Sequence, residues 1–124
     1  MDKQTKKQMV AEYMQRKPDM GVFMIRSKSE NKCHVEAAKD FRSKMNGSLV
    51  KLEAGSHPNL ELQQDWTARG KEQFDMCILE KLEPKKEEEN KDYTQDLNLL
   101  KELWMEKLLE EEGMYFYSRR LPRP

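Results

Sequence analysis

The sequence predicts an α+β domain, on three observations within its 124 residues. Two short apolar runs, Gly21-Val22-Phe23-Met24-Ile25 and Cys33-His34-Val35-Glu36-Ala37, flank a polar turn at Ser29-Glu30-Asn31-Lys32 and lead straight to a helix start at Lys39-Asp40-Phe41. A third run, Phe74 to Leu82, is apolar through its middle. Elsewhere the apolar residues recur at helical spacing. Alternate side chains of a strand share one face, so the two joined runs make a compact sheet edge on which Phe23 and His34 are the residues to watch.

In chain order, residues 2 to 16 read as a helix, with Met9 and Tyr13, flanked by Val10 and Met14, spaced among Lys and Gln. Pro18 and Gly21 end it, and residues 1–20 are read as an accessory helix. Its Lys3, Lys6 and Lys7 fit a solvated face better than a phosphate contact. After the two strands, a helix is expected from Asp40 to Glu53, with Asp40 at its start and Gly55 as its stop. Phe41, Met45, Ser48 and Leu52 form its inner stripe, with Leu49 beside it. Asn46-Gly47 loosens it, because Gly costs about 1 kcal/mol relative to Ala in a helix interior. His57-Pro58 is read as opening the next helix, with Leu62 and Trp66 inward, Leu60 on their flank, and Gly70 at its end. Phe74 to Leu82 is read as a central strand, and Pro84 terminates it.

Residues 85–91 are nearly all charged and read as a solvated loop or helix start. A last helix from Asp92 to Glu112 carries Leu97, Leu100, Trp104 and Leu108, and Gly113 stops it. Met114 to Tyr117 is expected to pack back as a short extended segment, followed by a disordered Arg/Pro-rich tail at 118–124. The domain proper is thus 21–117.

Composition excludes several classes. A hydrophobic fraction of 36% against 37% charged leaves one small core with polar margins. Basic and acidic residues balance at 23 each, which removes any global electrostatic argument for nucleic acid. The charge is uneven: residues 1–82 carry 15 basic and 12 acidic side chains, residues 83–112 carry 5 and 11. Cys33 and Cys77 lie in apolar runs without a CxxC or a Cys/His cluster, as buried thiols of a reduced cytosolic protein do. No segment approaches the ~20 apolar residues of a membrane span, and no apolar leader follows Met1. A cytoplasmic protein without membrane contact is expected.

The order strand, strand, helix, helix, strand, helix has distinctive residues at its joints. Gly-Val-Phe at 21–23, a turn ending in Asn31-Lys32, and Ala38-Lys39-Asp40-Phe41 resemble the N-terminal part of a GIY-YIG endonuclease. The likeness continues through Leu52-Glu53-Ala54-Gly55-Ser56-His57, Leu62-Gln63, Trp66, Gly70, Phe74 and Ile78-Leu79-Glu80, across roughly residues 21–106. It is strongest to the group of intron-encoded homing nucleases and small stand-alone bacterial proteins. The resemblance implies a three-stranded antiparallel sheet flanked by helices.

It also implies cleavage of DNA with one divalent metal. In that family a tyrosine of each signature tripeptide handles the attacking water, a helix arginine faces the phosphate, a histidine or tyrosine assists, and a later glutamate holds the metal. Those positions are substituted here. The tyrosines correspond to Phe23 and His34, and the glycine closing the second tripeptide to Glu36. The arginine corresponds to Lys44, which keeps a charge but loses the bidentate fork. Ser48 stands at the assisting position. Counting back three from Trp104, Lys101 stands at the metal glutamate. Glu102 serves only if the register slips, since one residue is about 100° around a helix.

The favoured expectation is therefore a GIY-YIG-like protein without catalysis that retains nucleic-acid or phosphate-ligand binding. Its contact surface would be Arg26, Lys28, Lys32, Arg42, Lys44 and Lys51, a set equally compatible with a solvated basic face. His57 is read as a helix-capping residue or a phosphate contact. No cofactor is expected, with Mg²⁺ or Mn²⁺ needed only if the protein cuts. Two alternatives stand beside this. One is an active metal-dependent DNA endonuclease with His34 as base, Ser48 and Lys44 nearby, and Glu102 or Glu36 on the metal. The other is a protein-interaction module using residues 83–117.

Overall fold

The computed structural model describes residues 19–84 and 91–118. The accessory helix, most of the charged run and the tail from residue 119 onward lie outside the described residues. The elements are β1 (Met20–Ser27), β2 (Lys32–Ala38), α1 (Phe41–Ala54), α2 (Leu60–Arg69), a 3-10 turn (Lys71–Gln73), β3 (Phe74–Leu82), α3 (Thr94–Glu112) and β4 (Tyr115–Phe116).

The sheet runs in the order β3-β1-β2-β4. β1 pairs antiparallel with β2, placing Phe23 opposite Glu36 and Ile25 opposite His34. It also pairs antiparallel with β3, with an irregularity between Val22 and Phe23. β4 pairs parallel with β2, Lys32 opposite Tyr115 and Cys33 opposite Phe116. The expected three-stranded antiparallel sheet is thus a four-stranded mixed one. The added strand is the segment expected to pack back after Gly113, drawn in by Tyr115 and Tyr117 N–H groups donating to the Asn31 and Cys33 carbonyls at 2.9 and 3.0 Å.

The strand period divides the core into two layers. Phe23 and Ile25 pack with Phe41 and Leu52 of α1, Leu62 and Trp66 of α2, Phe74 and Tyr117. Val22 and Met24 face the other way, onto Cys33, Val35, Leu108 and Met114, with Leu100, Trp104 and Met105 of α3 against them. β1, covered on both sides, is the central strand. The reading of Phe74–Leu82 as central is corrected: β3 is an edge strand, and Ile78 at its middle is 45% exposed.

Local signals explain the element ends. The Asp40 carboxylate accepts the Ser43 N–H at 3.2 Å, and Gly55 closes α1 at φ 78°. The helix runs unbroken through Asn46-Gly47, contrary to the expected loosening. α2 begins at Leu60 rather than at His57-Pro58, because Asn59 is the N-cap: its Oδ1 accepts the Leu62 N–H at 3.0 Å. Gly21 sits where β1 and β3 approach closely; a Cβ there would lie 2.2 Å from the Glu80 carbonyl oxygen. No helix among the described residues is long and apolar enough to cross a membrane.

Candidate functional site

Three segments converge on the α1 side of the sheet. β2 turns His34 and Glu36 to that side, because their cross-strand partners Ile25 and Phe23 belong to the α1–α2 core layer. α1 carries Lys44, Ser48 and Lys51 at three- and four-residue spacing, so they share a stripe. The loop before α2 delivers His57, only 4% exposed, and Asn59, which is also buried.

The side chains form a continuous network. His34 Nε2 lies 3.3 Å from Glu36 Oε2, and Lys44 Nζ lies 3.7 Å from Glu36 Oε1. His34 Nδ1 meets Asn59 Nδ2 at 3.2 Å. His57 Nδ1 accepts the backbone N–H of Asn59 at 3.0 Å, and its own backbone N–H donates to Gln63 Oε1 at 3.0 Å. The two imidazoles stand edge to face with centroids 5.4 Å apart. One ligand atom each from His34, Glu36 and His57 lies within 4.8 Å of the others. Burial alone would raise the Glu36 carboxyl, but the His34 hydrogen bond and the nearby positive charge of Lys44 outweigh it and hold it below the usual range. Burial, aided by His34 and Lys51, holds the His57 imidazole below its usual value despite Glu36.

Beside this network lies an open cleft of about 350 Å³ between the end of β2 and α1, lined among others by Lys39, Ser43, Lys44, Ser48 and Lys51. Lys39 is exposed and reaches Asp92 at 3.3 Å. Lys51 has no ion pair among the described residues. The cleft is polar, its three lysines set against Asp40 in the lining and against Glu36, which pairs with Lys44.

The expected site residues divide. His34, Lys44, Ser48, Lys51 and His57 come together, with Glu36 among them. Phe23 lies directly behind, 0% exposed, as part of the core. Arg26 follows Val22 and Met24 onto the α3 face, where it neighbours Cys33. Lys32 pairs with Glu61 at 2.5 Å and sits over the Tyr117 ring. Arg42 turns to Asp19 at 3.5 Å, and Lys28 to Asp75 at 3.6 Å. No hydrogen bond among the described residues joins His34 to Ser48. Lys101 and Glu102 are on α3, whose Leu100, Trp104 and Leu108 pack on the opposite face of the sheet. That packing leaves Glu102 exposed. Cys33 is buried, its thiol pushed up to about 11 chiefly by burial, and both cysteines are free.

Sequence reasoning missed Asn59. The signal was available, an Asn directly before Leu60-x-Leu62, the position where Asn is favoured as an N-cap.

No family model matches the chain, and a search of curated proteins finds no match. Among solved structures it is similar to the catalytic domain of homing endonuclease I-TevI, at 24% identity and TM-score 0.61, covering 80% of this chain and 98% of that one. It is equally similar to a glutamate-to-alanine mutant of that catalytic domain, at 23% identity and TM-score 0.61, covering 83% and 97%. On this structural similarity the chain has the fold of the I-TevI catalytic domain, the GIY-YIG fold that its sequence resembles.

Proposed function

We propose that this protein binds the phosphodiester backbone of nucleic acid in the cleft between β2 and α1 and does not cut it. The observation that carries this reading is the cleft itself, where Lys39, Lys44 and Lys51 gather on one face of a chain with no net charge. Phosphate affinity depends on clustered cations rather than on overall charge. The solved relative in fold is named as an endonuclease catalytic domain, which favours a nucleic acid over other phosphates.

The absence of cutting is supported by the residues that stand where the resemblance would place the catalytic groups. Phe23 offers no hydroxyl, and His34 Nε2 is engaged by Glu36. Lys44 lacks the bidentate fork. Lys101, at the position of the metal carboxylate, repels a divalent cation instead of holding it.

Labelled duplex DNA titrated with the full chain at several salt concentrations tests the reading. Two phosphate contacts, by Lys44 and Lys51, give a slope of log Kobs against log salt of about −2. Lys44→Glu and Lys51→Glu each weaken binding and each flatten the slope by about one. No retention at low salt refutes the binding. Plasmid nicking that needs Mg²⁺ or Mn²⁺ and disappears in His34→Ala refutes the absence of cutting.

A further inference from the structure

Two imidazoles and a carboxylate gathered within 4.8 Å form a donor set that transition metals favour. In such sites the ring nitrogen remote from the ion donates its proton to a carboxylate, carbonyl or water, which leaves the other nitrogen's lone pair for the metal. Here the polarity is reversed, and Asn59 reverses it. Its Oδ1 accepts the Leu62 N–H at 3.0 Å and its Nδ2 donates to the Tyr117 carbonyl at 3.1 Å, so two independent bonds fix which end of the amide is which.

The Nδ2 end faces His34 Nδ1 at 3.2 Å, so that ring nitrogen accepts. The backbone N–H of the same residue is donated to His57 Nδ1 at 3.0 Å. A neutral imidazole whose Nδ1 accepts carries its proton on Nε2. In His34 that proton goes to Glu36 Oε2. In His57 it has no acceptor among the described residues. A metal on either Nε2 would have to displace a proton from a ring whose other nitrogen is already occupied. The carboxylate that the resemblance assigns to the metal is no substitute, since Lys101 stands there, on the helix covering the other face.

We propose that Asn59 holds His34 and His57 as Nε2–H donors, so that this cluster excludes a divalent metal.

Long-range ¹H–¹⁵N correlation of the imidazoles in the full chain at neutral pH tests it. Both rings are expected as Nε2–H tautomers, unmoved by excess Zn²⁺ or Mg²⁺. An Nδ1–H tautomer in either ring, or Zn²⁺ shifting both rings together, overturns it. Asn59→Asp keeps an oxygen for the Leu62 N–H and sets an acceptor against His34 Nδ1, so His34 is expected to switch to an Nδ1-protonated ring that keeps its Nε2–H toward Glu36, while His57 does not switch. A switched variant assigns the polarity to Asn59; an unswitched, folded one refutes that role. Duplex retention is expected to be unchanged by EDTA. Retention that requires Mg²⁺ or Mn²⁺ overturns the metal exclusion while leaving the binding reading standing. No retention in any buffer refutes the binding reading, and the tautomers alone then decide the inference about metal.

Discussion

Adding the same methyl group at two glycines is expected to move stability in opposite directions. At Gly21 a Cβ would lie 2.2 Å from the Glu80 carbonyl oxygen, 3.0 Å from Lys81 Cα and 3.1 Å from the Phe41 ring. Two of those atoms are backbone of the paired strand, so the methyl is accommodated only by parting β1 from β3 beside the irregularity at Val22 and Phe23. Overpacking of this kind costs about 1–3 kcal/mol. At Gly47, inside α1, nothing lies within 4 Å of the added carbon, and the residue carries no positive φ. There alanine recovers the helix-interior penalty of glycine, about 1 kcal/mol. Urea titration of Gly21→Ala and Gly47→Ala against the unmodified chain should give midpoints on either side of it. At about 4–8 °C per kcal/mol for a domain of this size, thermal midpoints should separate by at least about 8 °C. Equal midpoints for Gly21→Ala and the unmodified chain would refute the claim that β1 and β3 touch through this glycine.

Other outcomes follow from single contacts. The His57 imidazole is held below its usual value in the folded chain, so the unfolded chain binds the proton first as pH falls. Stability is therefore full above the usual imidazole pKa of about 6.5 and declines below it, by up to about 1.4 kcal/mol per pH unit until the folded-state pKa is reached. Urea midpoints between pH 7.5 and 5 should show this, and His57→Gln should flatten the slope. Asn31→Ala removes donors to the Glu112 and Gly113 carbonyls, at 2.9 and 2.8 Å, which tie the β1–β2 turn to the end of α3. A loss of about 1 kcal/mol is expected, with faster exchange of the Tyr115 amide, whose acceptor is the Asn31 carbonyl. Trp66→Ala empties a place in the α1–α2 core layer against Phe74, ring centroids 5.1 Å apart, and should cost about 3–5 kcal/mol in urea unfolding.

Where the period was clear and the ends were marked, the fold was legible. α1 has an Asp at its N-cap and a Gly at its C-cap, and both serve as read. β3 was misplaced because an apolar run reports burial and not neighbours; only the pairing shows that β1 takes the centre. β4 has two residues, too few for any period to register. In the site, Lys44 and Ser48 were pointed to by the resemblance, whereas Lys51 and Arg26 were grouped with them by charge alone. Strand alternation argued otherwise, since Arg26 shares its parity with Val22 and Met24, and Phe23 shares its own with Ile25. Asn59 was hidden by starting the helix two residues early, at His57-Pro58.

Phe23 and His34, at the two positions where the resemblance would place tyrosines, make different physical demands on their surroundings. A hydroxyl buried without a partner costs about 1–3 kcal/mol, so a tyrosine at position 23 needs a working polar site around it. Phenylalanine there needs none, and Phe23 is fully buried among apolar neighbours. On β2 the demand is polar: His34 brings two ring nitrogens, and both are satisfied, one by Glu36 and one by Asn59. Asn59 also caps α2 and holds the Tyr117 carbonyl, while the Tyr117 N–H donates to Cys33 and its hydroxyl bonds Asp65. The helix cap, the bond to the Tyr117 carbonyl and the His34 tautomer thus share one side-chain amide. Loss of that amide should release all three together, a coupling that the separate loss of Lys44 or Ser48 would leave intact.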